Sequence, residues 1–380
     1  MPRGVRLEEI MNETVEPAMN AATDAPGAAA EADAGFLWDF WYPAIHSTEI
    51  RGKQLATAML LEVPLVLGRT TEGKAFAMRD SCPHRGIPLS YGRFDGKTVE
   101  CSYHGWRFEA CSGQCVEIPS LTGQDKLKVE RIFAGHYPCE ERDGYVWVYM
   151  NSGGAPLPEQ VPAAPKLKVF SEKYRRTHLA CELPSHIDHG IIGLMDPAHG
   201  PFVHASWYWR KRASIHEKEK RFEPTPNGFR MSPHTPSSNS APYRMLKKLT
   251  GEPVTTTIDF VLPNMRTEEI RSGKLWFSSR ATVTPVKRDL CRIDFVAAWN
   301  LFLPVSVFRI FAAKFLRQDQ ETMIQQAEGL KHDPRLMLID DADRPAKWYF
   351  GLKANLLESR RTGAPMVHPM NGPVTLHWRS

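Results

Sequence analysis

The sequence predicts an all-β domain followed by an α+β domain. Three observations support this order: short apolar runs separated by turn residues in 36–150, a stretch rich in proline and glycine at 151–166, and mixed β-type and helical patterns in 167–380. A chain of 380 residues is also longer than one hydrophobic core usually supports, which favours two domains. Residues 1–35 precede them and are expected to form an N-terminal tail.

The first domain carries the pattern of short strands joined by tight turns. An apolar run at 60–67 predicts a strand, and turn residues at 71–74 separate it from the next run. Asp95-Gly96 and Asp143-Gly144 predict two further hairpins, because aspartate and glycine accept the backbone conformations that hairpin turns require.

The stretch 151–166 is expected to be a linker, because its prolines and glycines neither extend a helix nor join a sheet. Three strands and two helices are then predicted in the second domain at 256–262, 274–283, 292–303, Val305–Leu330 and 345–361. Residues 223–243 are rich in proline, serine and asparagine. They are expected to form either a mobile loop near a substrate pocket or a plain surface excursion.

Composition excludes several classes of protein. Apolar residues make up 42% and charged residues 24% of the chain, which supports a sizeable core and rules out wholesale disorder. The net charge of +5 is not concentrated in a stripe, so an acidic protein partner is expected rather than nucleic acid. No segment has the pattern of an export signal or a membrane span, so a cytoplasmic location with reduced cysteines is expected.

Two predicted loops carry the first metal-binding pattern. Cys82-Pro83-His84 and Cys101-Ser102-Tyr103-His104 are separated by sixteen residues, and each offers one thiolate and one imidazole. Zinc also accepts two cysteines and two histidines, but zinc fingers commonly place the cysteines together and the histidines together. One cysteine and one histidine on each loop is the pattern of a Rieske [2Fe-2S] cluster. Arg85 and Trp106, beside the two motifs, are expected to cover it.

A second pattern lies in the segment Asp196-Pro197-Ala198-His199-Gly200-Pro201-Phe202-Val203-His204. Histidines five residues apart do not share one face of a straight helix, but Gly200-Pro201 permits a bend that brings both imidazoles together. Two histidines and one carboxylate, with open positions, form the Fe(II) site of non-haem oxygenases. His186 and His189 are alternative ligands or supporting groups.

The carboxylate is chosen by helical periodicity. The predicted helix Val305–Leu330 has an apolar stripe that includes Phe315, and Asp319 falls on the same stripe whereas Glu321 points away. A carboxylate on an apolar stripe needs a partner for its charge, which is either a metal ion or a buried salt bridge. We therefore predict Asp319 as the third ligand.

With both patterns in one chain, the sequence resembles the α subunits of Rieske non-haem iron oxygenases, the aromatic ring-hydroxylating oxygenase family, over about residues 36–330. The resemblance implies an all-β Rieske domain followed by an α+β catalytic domain of helix-grip type, in which an antiparallel sheet surrounds helices and holds mononuclear Fe(II). The implied cluster ligands are Cys82, His84, Cys101 and His104, and the implied iron ligands are His199, His204 and Asp319.

The resemblance also gives Asp196 a role. Asp196 matches an aspartate that, in this family, links an iron-ligand histidine to a cluster histidine of the neighbouring subunit, so a homotrimer is implied. One departure is clear: the family often has an asparagine about one turn earlier, where this chain has Ile192 and Gly193. The sequence does not identify a residue that replaces it.

The resemblance implies the terminal oxygenase component of a multicomponent system. Such a component uses O2 and electrons from a separate ferredoxin or flavin reductase, and the chain contains no dinucleotide-binding or ferredoxin-type motif. Hydroxylation or oxidative demethylation of a largely apolar, cyclic substrate is favoured because the chain resembles stand-alone α subunits, and cis-dihydroxylation of an aromatic ring is the alternative. The alternatives from other classes are an electron carrier without oxygenase activity and, less favoured, an enzyme acting at a membrane surface.

The substrate environment is suggested by apolar residues in the predicted strands of the second domain. They form either an apolar pocket or an apolar core, and they are Phe260, Leu262, Trp276, Phe277, Phe295 and Trp299.

Overall fold

The computed structural model describes residues 35–152, 159–167, 174–206, 212–236 and 241–380. Almost all of the predicted N-terminal tail, and residues 153–158 of the predicted linker, lie outside the described residues. The described part of the linker contains no helix or strand. The sheets of the first domain precede this stretch and the large sheet of the second follows it, and on this basis we propose 36–150 and 167–380 as the two domains.

The first domain is all-β, as predicted. It contains three antiparallel sheets, with strand orders β1-β11-β10, β2-β3-β4-β9 and β5-β6-β7-β8. The strands are β1 (Phe40–His46), β2 (Ala56–Leu60), β3 (Val63–Arg69), β4 (Ala75–Arg79), β5 (Arg93–Phe94), β6 (Thr98–Glu100), β7 (Arg107–Glu109), β8 (Cys115–Glu117), β9 (His136–Tyr137), β10 (Cys139–Arg142) and β11 (Tyr145–Met150).

The predicted hairpin turns occur where the sequence placed them. Residues 71–74 connect β3 to β4, and Asp95-Gly96 connects β5 to β6. Asp143 and Gly144 connect β10 to β11 with φ angles of +52° and +83°, the left-handed conformation that two-residue hairpin loops use. Short-range turn chemistry is therefore sufficient to position these strands.

The predicted strand at 60–67 is wrong in one respect, because a turn interrupts it. Leu61 and Glu62 both have positive φ, at +51° and +64°, and they separate β2 from β3. Their N–H groups donate to the carbonyls of Pro285 and Val286 in the second domain, at 3.0 Å each. These long-range bonds support a conformation that leucine and glutamate rarely adopt, so no local signal marked the turn.

The second domain is built on one eight-stranded antiparallel sheet, in the order β12-β18-β17-β16-β15-β14-β13-β19. Its strands are β12 (Arg175–Leu183), β13 (Glu217–Thr225), β14 (Gly228–His234), β15 (Thr255–Val261), β16 (Met265–Ser272), β17 (Leu275–Lys287), β18 (Leu290–Trp299) and β19 (Val374–Arg379). The helices are α1 (Ile187–Met195), α2 (Gly200–Val203), α3 (Ala241–Thr250), α4 (Val305–Leu330) and α5 (Arg344–Thr362). The α+β prediction is confirmed, and α4 has the predicted bounds.

Two long helices pack against different parts of the sheet. On α4, the ring of Phe308 lies 5.6 Å from that of Phe277 and 4.5 Å from that of Trp299, between centroids. On α5, Trp348 lies 5.4 Å from Phe222 of β13. The aromatic residues of the strands therefore anchor both helices to the sheet.

The apolar residues singled out on the strands belong mainly to this packing. Phe260 and Trp299 are fully buried, and Phe277 and Phe295 are in ring contact with Phe308. Of the two alternatives, they fit the apolar core.

The prediction of an irregular segment at 223–243 is wrong for most of its described length. It contains the end of β13, the strand β14 and the start of α3. β14 forms because Phe229 is buried against Phe222 and Trp348, and this long-range contact outweighs the local preference of proline and asparagine for turns.

Two arginines of the large sheet reach into the first domain. Arg280 on β17 forms an ion pair with Asp143 at 2.5 Å, and their side chains are 1% and 6% exposed. Arg292 on β18 donates to the carbonyls of Pro43 and Ala44 at 2.8 and 2.9 Å. The turn between β10 and β11 and the strand β1 are thereby fixed against the second domain.

No helix within the described ranges is long and apolar enough to cross a bilayer.

Candidate metal centres

The two cysteine-histidine motifs lie on loops with the same hydrogen-bond pattern. In each loop the cysteine N–H donates to the carbonyl five residues on, at 2.8 Å for both Cys82 and Cys101. The glycine four residues on, Gly86 or Gly105, donates back to the cysteine carbonyl at 2.8 or 3.0 Å. Both glycines have positive φ, +72° and +71°, which glycine adopts without strain. The loops between β4 and β5 and between β6 and β7 thus have matching turns.

The thiols of these loops are buried, whereas the imidazoles are more exposed. Cys82 and Cys101 are each 2% exposed, and burial, together with contact between the two thiols, raises the pKa of Cys82 to about 11. His84 is exposed, and its ring centroid lies 4.5 Å from that of His104. A buried sulfur pair and a more exposed imidazole pair match the two ends of a Rieske cluster.

The side chains predicted to cover this site are placed beside it. Trp106 stacks on His84 with ring centroids 4.6 Å apart and an interplanar angle of 4°. The Trp106 Nε1–H is buried and has no acceptor among the residues described, which is unusual for a buried donor and fits a site completed by a prosthetic group. Arg85 lies over the ring of Tyr103, at 5.9 Å. Tyr103 lies within the second motif but was not expected to cover the site. Its ring also contacts that of His104, at 3.9 Å between centroids.

The second pattern converges around a helix of one turn. His199 is the N-cap of α2 and His204 is its C-cap. The Nε2 atoms of the two histidines are 3.2 Å apart, and Asp319 Oδ1 lies 3.1 Å from His204 Nε2. One ligand atom from each of these three residues lies within 4.8 Å of the others. The two imidazoles converge, as predicted. A short helix between the histidines brings them together, rather than a bend that interrupts a longer helix.

The outer nitrogen of each histidine has its own acceptor. His199 Nδ1 lies 2.8 Å from the backbone carbonyl of Asp196, and His204 Nδ1 lies 3.2 Å from Gln318 Oε1. A ring that donates from Nδ1 leaves the Nε2 lone pair free. Two lone pairs and a carboxylate then face one point, which is a donor set suited to Fe(II).

Both histidines are at least partly shielded from solvent, and burial affects the protonation of His199. His204 is 7% exposed. The pKa of His199 is lowered mainly by burial, partly opposed by the nearby Asp196 carboxylate. A neutral imidazole is the form that binds a metal.

The long helix α4 presents one face to His204. Phe315, Gln318 and Asp319 follow the i, i+3, i+4 spacing that places side chains on one side of a helix. The Phe315 ring lies 4.5 Å from the His204 ring between centroids, while Gln318 and Asp319 approach its two nitrogens. Periodicity identified Asp319, whereas Gln318 and Phe315 were not assigned to the site. The same periodicity could have suggested them, since they share its face.

Asp196 lies at the end of α1. It is the C-cap of that helix, and its Oδ1 accepts from the N–H of Ala198 at 2.6 Å. Its second oxygen is 3.7 Å from His199 Nδ1, and its side chain is 32% exposed. Asp196 is therefore beside a candidate ligand and also within reach of solvent.

The other histidines considered are placed differently. His186 is the N-cap of α1, where its Nδ1 accepts from the N–H of Asp188. Within the described ranges, the group of side chains able to hold a metal includes neither His186 nor His189. These two histidines are therefore not brought together with His199, His204 and Asp319.

Comparison with known proteins adds a family for the first domain. Residues 40–130 match the family described as Rieske [2Fe-2S] domain. The chain is 33% identical to the 3-chlorobenzoate-3,4-dioxygenase oxygenase subunit of Comamonas testosteroni over 172 residues. This match covers 45% of this chain and 38% of that protein. The chain is also 34% identical over 180 residues to the 5,5'-dehydrodivanillate O-demethylase oxygenase subunit of Sphingobium sp., which covers 46% and 40%. The matches thus span about two fifths of these relatives' lengths.

A solved structure extends the likeness to nearly the whole chain. NdmA of Pseudomonas putida CBB5, solved with caffeine, superposes with a TM-score of 0.71 over 91% of this chain and 98% of that chain, at 17% identity. At this identity the likeness concerns the fold. The predicted fold class is thereby confirmed in both domains.

Proposed function

By its Rieske domain and its fold, the chain is a Rieske non-haem iron oxygenase α subunit. We propose that it acts as the terminal oxygenase component of a multicomponent system. The observation that carries the proposal is the convergence of His199, His204 and Asp319 in a chain that also has a Rieske domain. An electron carrier, the alternative of another class, has no use for a second metal site.

Each part of the site has a distinct task in this proposal. Cys82, His84, Cys101 and His104 hold the [2Fe-2S] cluster, and His199, His204 and Asp319 hold Fe(II). When bound, these groups supply one-electron transfer and the activation of O2. The protein's own contribution is to aim Nε2 of both histidines at one point, to lower the pKa of His199 by burial and to place an apolar ring, Phe315, beside His204.

Asp196 connects the two tasks. Its backbone carbonyl fixes His199, while its half-exposed carboxylate is close to the same ring. The candidate cluster ligand His84 is also exposed. We propose that these two surfaces meet between neighbouring copies in a homotrimer, where Asp196 carries a hydrogen-bonded path from cluster to iron.

The proposed substrate is a largely apolar, cyclic organic molecule, and the proposed reaction is hydroxylation or oxidative demethylation. The relatives include a demethylase and a dioxygenase, so cis-dihydroxylation is the second candidate. Electrons come from a separate ferredoxin or flavin reductase. The reaction is identified by incubating the chain with a generic ferredoxin and reductase and following candidate substrates by mass spectrometry, because one added oxygen, two added oxygens and a lost CH2 are distinct masses.

Metal analysis tests the metal sites directly. Protein purified without oxygen should contain the two irons and two sulfides of one cluster plus one further iron. Cys101→Ser should remove the cluster signal in electron paramagnetic resonance, whereas His199→Ala should remove only the single iron. His189→Ala, which changes a histidine outside the site, is the control and should retain all three irons. Zinc in freshly prepared protein, without sulfide, would overturn the proposal.

A further inference from the structure

The two histidines of the candidate iron site are held by acceptors of different kinds. His199 Nδ1 faces the backbone carbonyl of Asp196 at 2.8 Å, and no substitution removes a backbone carbonyl. His204 Nδ1 faces a side chain, Gln318 Oε1, at 3.2 Å. The orientation of His204 therefore depends on the identity of one residue, which lies 114 positions further along the chain.

A neutral imidazole has one N–H, and His204 has an acceptor at each nitrogen. If the proton is on Nε2, it faces Asp319 Oδ1 at 3.1 Å and the ring cannot bind a metal. If the proton is on Nδ1, it is donated to Gln318 and Nε2 is free for the metal. A cation bound beside Asp319 excludes the proton from Nε2, and the acceptor at Gln318 then stabilises the Nδ1–H tautomer that binds.

We propose that Gln318 is a positioning residue that holds His204 in its metal-binding tautomer. The proposal rests on the proposed function, since it concerns the same iron site. Gln318 acts through His204 and does not itself bind the metal.

The surroundings of Gln318 fit this role. It lies in the middle of α4, and its own carbonyl accepts from the Thr322 hydroxyl at 2.9 Å. Phe315, one turn earlier, packs on the His204 ring. The helix thus contacts the His204 ring on its face and at both nitrogens.

Two variants separate the acceptor from the shape of the side chain. Gln318→Leu keeps a similar volume without an acceptor, and Gln318→Glu keeps an acceptor in the same place. The control is Gln320→Leu, because Gln320 lies on the same helix and also makes a hydrogen bond, to the carbonyl of Glu182 at 2.7 Å.

The measurement is the affinity of iron-depleted protein, with its cluster intact, for added Co(II). We expect Gln318→Leu to weaken Co(II) binding by about 10- to 100-fold, the range for a lost partner of a ligand histidine, with the cluster absorbance unchanged. Gln318→Glu and Gln320→Leu should bind as the wild type does. Wild-type affinity in Gln318→Leu, or equal loss in Gln318→Leu and Gln318→Glu, would overturn the role of the acceptor. A wild-type chain that binds no Co(II), or binds it equally after His199→Ala, would instead overturn the proposed iron site.

Discussion

The Nε2 atoms of His199 and His204 face each other at 3.2 Å across a helix of four residues. When each ring donates from Nδ1, to the Asp196 carbonyl and to Gln318 Oε1, both Nε2 atoms present lone pairs to the same point. Such a pair is unfavourable without a cation between its members, and the adjacent Asp319 carboxylate supplies the negative charge that a cation needs. This relationship supports the iron site proposed above.

Replacing Asp196 by asparagine separates metal binding from electron transfer. Both metals should be retained, because the backbone carbonyl that fixes His199 is unchanged. If the carboxylate carries the path between sites, reoxidation of the reduced cluster with substrate and O2 should slow by about 10- to 100-fold, measured by stopped-flow absorbance in a single turnover. If the carboxylate only accepts from the Ala198 N–H, asparagine does this equally well and reoxidation should be normal.

Breaking the buried ion pair between the domains should cost much stability. Asp143→Asn leaves the Arg280 charge buried without its partner, a change that typically costs about 3–5 kcal/mol. Asparagine also accepts the left-handed backbone at this position, so the turn itself is kept. The control is Glu141→Gln, which breaks the more exposed pair with Arg69 and should cost at most about 1 kcal/mol. Urea unfolding followed by circular dichroism compares the two variants.

Two glycines should respond in opposite directions to alanine. A Cβ on Gly228 would lie 1.8 Å from the carbonyl oxygen of Phe260, so Gly228→Ala should force β14 away from β15 and lower stability by more than about 3 kcal/mol. A Cβ on Gly329, near the end of α4, meets nothing within 4 Å. Gly329→Ala should therefore stabilise the helix by up to about 1 kcal/mol. Thermal unfolding midpoints test the pair, and an unchanged midpoint in Gly228→Ala would contradict the close approach.

Acid should weaken the contact between the domains through His178. Burial is the main cause that lowers the pKa of His178 in the folded chain, where its Nε2 lies 2.6 Å from the Asp143 carbonyl. The unfolded chain, with a histidine pKa of about 6.5, then binds the proton first. The free energy of unfolding should fall as pH is lowered through about 6.5 and stop falling below the folded pKa. His178→Gln should reduce this slope, whereas His332→Gln, at an exposed position, should not.

The sequence was most informative where the pattern is local. Helical periodicity gave both ends of α4 and placed Asp319 on its inward face, and aspartate-glycine pairs marked the hairpin turns. These features depend on residues a few positions apart, so the chain itself contains the signal.

Features that depend on distant contacts could not be read in this way. The turn at Leu61 and Glu62 is supported by carbonyls of β17, and β14 forms because Phe229 packs against Trp348. Gln318 reaches His204 only because α4 lies beside α2. In each case the partner is more than 100 positions away, and no local preference identifies it.

The way the two domains touch bears on the construction of chimeras. From within residues 40–130, the part that matches the Rieske family, backbone atoms of Pro43, Ala44, Leu61 and Glu62 contact the second domain, and the Glu62 side chain accepts from the N–H of Arg288 at 2.9 Å. The charged pair, Asp143 with Arg280, lies outside that part. Side chains also meet across this boundary, since the ring of His46 lies 4.6 Å from that of His178 between centroids and Arg360 lies over the Phe40 ring. A foreign segment in place of residues 40–130 must therefore reproduce these side chains as well as the backbone, so the redox unit of this protein should be exchangeable only for one that matches at these positions.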